Sequence, residues 1–125
     1  MPDFLYVKYQ GKHCRIFLTE LQYLEAEKRY VRLVTENKTF LIESSLYKIE
    51  SLLPSDQFCR IHKSYIISLQ HAGQFDANTV TVANRPLPIG RHYRSILESK
   101  VLVINSRLSL TGKEINDLFN PPAED

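Results

Sequence analysis

The chain has 125 residues, 43% hydrophobic and 24% charged, a size and composition that sustain one domain with its own core and exclude wholesale disorder. No apolar run approaches the roughly 18 residues of a membrane-spanning helix, and Met1-Pro2-Asp3 lacks the basic start of a signal peptide, so a cytoplasmic protein is expected. The net charge is only +2, but it is unevenly spread: residues 58–94 hold five Lys/Arg against one Asp/Glu, a local surplus suited to a polyanion if the fold gathers it on one face.

Phe4-Leu5-Tyr6-Val7-Lys8-Tyr9 and Cys14-Arg15-Ile16-Phe17-Leu18, broken at Gly11, read as a hairpin. Leu21–Ala26, Tyr30–Thr35 and Thr39–Ile42 are three further extended runs, joined by the charged tip Glu27-Lys28-Arg29 and the polar turn Glu36-Asn37-Lys38, and they predict a three-stranded meander. The period then becomes helical: Leu46, Ile49, Leu52 and Leu53 recur at spacings of three and four behind Ser44 as N-cap, and Pro54 ends the helix. Phe58 to Ser68 is extended with a break near Lys63. Thr79–Val82 is strongly β-forming, and a turn at Asn84-Arg85 leads into Leu87-Pro88-Ile89, which Pro86 and Pro88 confine to a sheet edge. After Gly90, residues Arg91 to Lys100 trace a short helix, and the acidic, proline-bearing segment from residue 111 to Asp125 is expected to be a partly disordered tail behind a domain of residues 1–110.

Structural zinc needs four ligands, usually in close pairs, and His13, Cys14, Cys59, His62, His71 and His92 offer no such arrangement; no metal and no cofactor is expected. Cys14 and Cys59 lie far apart outside any C-x-x-C pair and read as ordinary reduced thiols. Ser64 and His62 are close in sequence, but no orienting acid or G-x-S-x-G motif accompanies them, and the four glycines form no phosphate loop, so the chain does not read as an enzyme. What stands out is a set of cationic and polar residues at loop positions: Lys28 and Arg29 at a hairpin tip, Arg60, His62 and Lys63 at a strand end, Arg91 and Arg94 at a helix start. Function gathers at such positions on a rigid scaffold, and an Arg in the first helical turn combines free N–H groups with a planar fork for guanine.

The run Phe58-x-Arg60-x-His62-x-Ser64-Tyr65-Ile66-Ile67 fits F-x-R-x-H-x-S-[YF]-[IV]-[IV], and on it the chain resembles the LytTR DNA-binding domain, the output module of many bacterial response regulators. Tyr23-Leu24-Glu25-Ala26 followed by Tyr30-Val31, the helix Ser45 to Leu53, and Leu87-Pro88-Ile89-Gly90-Arg91 agree in order and spacing with further family elements, so the resemblance covers roughly residues 5 to 105.

The resemblance implies a mainly β fold of about ten short strands in small stacked antiparallel sheets with one or two short helices. It also implies duplex DNA as partner, bound through loops in the major groove by a bacterial transcription regulator. Carried over, base contacts fall to Lys28, Arg29 or Tyr30, to Lys63 and to Arg91, while Arg60, Arg94 and Lys28 largely neutralise phosphates and His62 and Ser64 face or support the DNA. Direct-repeat sites, a dimer on DNA, and a receiver or sensor domain outside this chain belong to the same expectation. Ser68 and Gly90 depart from the family's usual Asn and Ser, and Lys63 from a neutral amide, so the target sequence does not transfer. A second reading is a β domain that binds a protein partner or single-stranded nucleic acid on Tyr23, Tyr30, Tyr65 and Tyr93 as exposed platforms.

Overall fold

Period-two alternation of apolar and polar residues sets the architecture from Phe4 onward. The structure, a computed structural model, describes residues 3–104 and residue 119. β1 (Phe4–Tyr9) and β2 (Lys12–Phe17) form a hairpin in register from Phe4 opposite Phe17 to Tyr9 opposite Lys12. Its turn residues Gln10 and Gly11 both have positive φ, 52° and 77°, as a tight two-residue hairpin requires.

A 3-10 turn then leads into β3 (Leu21–Glu27), β4 (Tyr30–Thr35) and β5 (Thr39–Glu43), the meander read from the sequence. α1 (Leu46–Leu52) follows, then β6 (Phe58–His62) and β7 (Tyr65–Ser68). β3, β4, β5, β6 and β7 make one antiparallel sheet in the order β5-β4-β3-β7-β6, so β3 pairs with a strand some 40 residues further along the chain, with Glu25 opposite Tyr65. β8 (Ala72–Phe75), β9 (Thr79–Val82) and β10 (Arg85–Pro88) form a smaller sheet in the order β10-β9-β8, and α2 (Arg94–Ser99) closes the described fold after a 3-10 turn at Arg91–Tyr93.

The two faces of the five-stranded sheet carry separate cores. Leu24, Val31, Leu33, Phe40, Phe58 and Ile66 point to the side covered by the β1–β2 hairpin and α1, where Ile16, Leu46 and Leu53 complete the cluster. Tyr23, Cys59, Ile61 and Ile67, one residue out of phase, point to the other side, where Val80, Val82 and Leu87 of the small sheet and Leu97 of α2 meet them. Burial of each such aliphatic contributes about 1.5–3 kcal/mol, and a slip of one residue in β7 would exchange the two sets.

The fold is the mainly β arrangement expected, with ten strands and two short helices among the described residues. Four local expectations change. The α1 cap is Ser45, whose hydroxyl accepts the Lys48 N–H at 3.2 Å, rather than Ser44. The β9–β10 turn is Ala83-Asn84, both at positive φ, one residue earlier than expected. β8 was not anticipated, because Ala72-Gly73-Gln74-Phe75 has little β propensity and pairs irregularly with β9. The single helix expected over Arg91 to Lys100 is a 3-10 turn followed by six α-helical residues. β10 does lie at an edge, as its prolines require. The expected tail lies outside the described residues apart from Phe119.

Candidate nucleic-acid interface

Backbone hydrogen bonds bring three distant loops to one end of the five-stranded sheet. β3 turns into β4 at Lys28-Arg29, with Glu27 opposite Tyr30. The Ala26 N–H donates to the Ser64 carbonyl at 2.9 Å, which sets the β6–β7 turn beside that tip. The Gly90 N–H donates to the Ile61 carbonyl at 2.7 Å and brings the segment before Arg91 against the same turn. The start of α1 joins them, since the Ser44 N–H donates to the Arg29 carbonyl at 3.2 Å.

Lys28, Arg29, Lys63 and Arg91 are exposed on these loops, whereas Tyr30, Arg60, His62, Ser64 and Arg94 are half-buried. Lys28 holds a left-handed backbone, φ 57°, which costs a non-glycine residue about 1 kcal/mol. Arg91 is the first residue of the 3-10 helix ahead of α2, with Gly90 as its N-cap, so it is an exposed cation in a 3-10 rather than an α-helical first turn.

The second loop is fixed almost atom by atom. Arg60 Nε donates to the His62 carbonyl at 2.7 Å, and one terminal nitrogen donates to the Lys63 carbonyl at 2.6 Å. The other terminal nitrogen reaches Glu50 Oε1 on α1 at 2.7 Å, and the Arg60 side chain keeps only 14% of its exposure. His62 Nδ1 accepts the Ser64 N–H at 3.0 Å, so the imidazole closes the turn and does not activate the Ser64 hydroxyl. With Ser64 and Ile61 carbonyls also bound, the chain either side of Lys63 is held while its side chain stays free in solvent.

The third loop is buttressed from the β8–β9 turn. Asp76 Oδ1 accepts the N–H groups of Asn78 and Thr79 at 2.8 and 2.9 Å, and these bonds hold its carboxyl below the usual carboxylate range. The Asn78 carbonyl accepts the Ile89 N–H at 2.8 Å, and its Oδ1 accepts from an Arg94 terminal nitrogen at 3.0 Å, while Arg94 Nε is buried without a partner. A Cβ on Gly90 would stand 3.0 Å from Tyr93 Cδ2 and 3.7 Å from His62 Cδ2, so the glycine lets these rings approach the loop. Sequence reasoning missed Glu50 and Asn78; the Asp76-Ala77-Asn78-Thr79 run between two apolar segments is a turn signal that marks the latter.

Beneath the loops a polar cluster ties the two sheets together. Tyr65 Oη donates to Glu25 Oε2 at 2.8 Å, and an Arg85 terminal nitrogen donates to Tyr23 Oη at 2.7 Å and lies 3.5 Å from Glu25 Oε1. Burial, with the bond to Glu25, pushes the Tyr65 hydroxyl up and keeps it a donor. Tyr23 is thus buried and Tyr65 engaged, and the four tyrosines of the second reading do not form exposed platforms; exposed aromatics lie elsewhere, with Phe4, Tyr6 and Phe17 on the β1–β2 hairpin, where Arg15 stacks on Phe17, and Tyr47 on α1 and Phe75 on β8. Cys59 is a free thiol that burial pushes up, as expected of an inert core cysteine, and Cys14 is free and half-buried.

The domain is a mainly β module of stacked antiparallel sheets that presents exposed cations on loops at one end of its larger sheet. The LytTr DNA-binding domain family matches residues 11–101, and the chain belongs to that family. A solved LytTr DNA-binding domain from Bacillus cereus superposes with a TM-score of 0.68 at 23% identity, over 80% of this chain and 97% of that one, a likeness of fold. The CO-responsive transcriptional regulator RcoM of Rhodospirillum rubrum is 40% identical over 53 residues, 42% of this chain, and the matched stretch is 22% of that regulator's length. Among the described residues no helix is long and apolar enough to cross a membrane, and no three His, Cys, Asp or Glu side chains cluster as metal ligands.

Proposed function

We propose that this domain reads duplex DNA through the three loops at one end of its five-stranded sheet and serves as the output module of a cytoplasmic bacterial transcription regulator. Lys63 and Arg91 reach base edges in the major groove; Lys28 and Arg29, with Tyr30 beside them, engage the backbone; His62 and Ser64 support the second loop, and Arg94 adds positive charge to the third. The observation that carries this reading is the convergence of exposed Lys28, Arg29, Lys63 and Arg91 through the Ala26–Ser64, Ile61–Gly90 and Arg29–Ser44 backbone bonds. Phosphate neutralisation supplies sequence-independent affinity, and base-edge contacts supply discrimination.

Direct-repeat sites, pairing of two copies on DNA and a receiver or sensor domain elsewhere in a longer regulator are part of the same proposal. Selection from a random duplex library tests it: recovery of a defined motif, repeated at helical spacing, is the expected result. Recovery of single strands in preference to duplex, or of no preferred sequence, would overturn it.

A further inference from the structure

Arg60 has the composition of a phosphate contact and the geometry of something else. Its three nitrogens are spent on the His62 carbonyl, the Lys63 carbonyl and Glu50 Oε1, at 2.6 to 2.7 Å, in a side chain that is mostly buried. Arg60 therefore spans from α1, which carries Glu50, to the turn whose exposed member is Lys63. A planar guanidinium makes two such carbonyl bonds at a fixed angle, and a carboxylate on its far side holds the plane in place; a lysine ammonium offers neither the plane nor the reach to all three acceptors.

We propose that Arg60 and Glu50 form a positioning latch that fixes the backbone of the second loop so that Lys63 meets a base edge, and that Arg60 itself does not neutralise a phosphate. The proposal rests on the reading that this loop meets DNA. It replaces the role that the sequence assigns to Arg60, and it gives α1 a part in recognition through an acidic residue. The sign is what makes Glu50 informative. A carboxylate near a DNA-binding surface ordinarily weakens binding, so its neutralisation tightens the complex with every duplex. In a latch, neutralisation loosens the guanidinium and costs discrimination instead.

The experiment has two arms, in Arg60→Lys and Glu50→Gln. In the free protein, amide hydrogen exchange at Ser64, whose N–H is held by His62 Nδ1, speeds up in both variants, while the β3–β4 amides and the melting temperature stay close to those of the parent. Unchanged exchange at Ser64 overturns the latch, whatever happens with DNA. In the second arm, binding to the duplex selected by the parent chain is compared with binding to a scrambled duplex. The latch lowers the ratio of the two affinities by about tenfold, the worth of one good base contact, and leaves the salt slope on scrambled DNA unchanged.

A charge-conserving Arg60→Lys that keeps the full ratio, or a Glu50→Gln that tightens both duplexes equally, overturns the positioning role. Loss of fold lowers both affinities together and leaves their ratio intact, so the ratio is read on variants whose melting temperature matches that of the parent. If Arg60→Lys fails to fold, Glu50→Gln carries the test, since Glu50 retains 43% side-chain exposure and lies outside the core. Failure of the parent chain to select any duplex removes the DNA reading, whereas the exchange arm still decides whether Arg60 and Glu50 hold the turn.

Discussion

The first and second loops share one end of the five-stranded sheet and are held there by different means. Around Lys63, the carbonyls of Ile61, His62, Lys63 and Ser64 and the N–H of Ser64 all have partners, three of these five bonds supplied by the side chains of Arg60 and His62. Around Lys28 and Arg29, a two-residue tip between Glu27 and Tyr30 is tied by the ladder and by the Ser44 N–H, and Lys28 sits in a left-handed backbone. A pinned backbone presents a side chain at a fixed distance and angle, which base-edge recognition demands. A looser tip with two exposed cations suits phosphates, which tolerate displacement.

The sharpest way to break that contrast is to remove one cation from each loop. Lys63→Ala is expected to cost about 1–3 kcal/mol on the selected duplex and much less on a scrambled one. An equal loss on both in a titration would reduce the second loop to another phosphate contact.

Lys28→Gly probes the first loop from two sides at once. It relieves the left-handed strain and is expected to raise stability by about 0.5–1 kcal/mol in denaturant unfolding. The same change weakens binding to all sequences alike and reduces the salt slope by about one unit. Stability and affinity thus move in opposite directions, and a change in sequence preference would contradict the division between the loops.

Smaller effects are expected where the third loop rests on its neighbours. Gly90 has φ −69°, open to any residue, so Gly90→Ser needs only a slight shift of the Tyr93 ring and should change stability by less than about 0.5 kcal/mol. A larger loss in thermal unfolding would mean that the ring packing against Gly90 is rigid. The smallest effect concerns pH. The Asp76 carboxyl is held below its ordinary value by the Asn78 and Thr79 N–H groups, so its contribution is present above the usual carboxylate range and is lost as pH falls through its lowered value. Protection of the Asn78 and Thr79 amides, taken as intrinsic over observed exchange rate at each pH, should fall on acidification, and Asp76→Ala should leave it low throughout that range.

Most of the scaffold was legible because its causes are local. The β1–β2 hairpin, the meander, α1 ending at Pro54 and the proline-bearing edge follow from period, turn residues and missing donors over a few positions. β8 was not legible: Gly73 and Gln74 do not favour a strand, and only the neighbouring β9 makes them one. The candidate site was half visible. Exposed cations at turns could be named from the residues, and the family resemblance singled out Lys63 and Arg91 among them. The inward commitment of Arg60 could not be read, because it depends on Glu50 ten positions earlier and on carbonyls whose direction is set only once β6 and β7 have turned. The meeting of the three loops depends likewise on β3 pairing with β7, strands that are not consecutive in the chain.

The edge formed by β10 bears on how such molecules behave in company. Pro86 and Pro88 are two residues apart, so the donors they lack fall on the same side of the strand, away from the ladder with β9. A second molecule approaching that side meets no regular row of N–H groups and gains little from extending the sheet. Two copies brought close together therefore do not fuse into a larger β assembly through this strand.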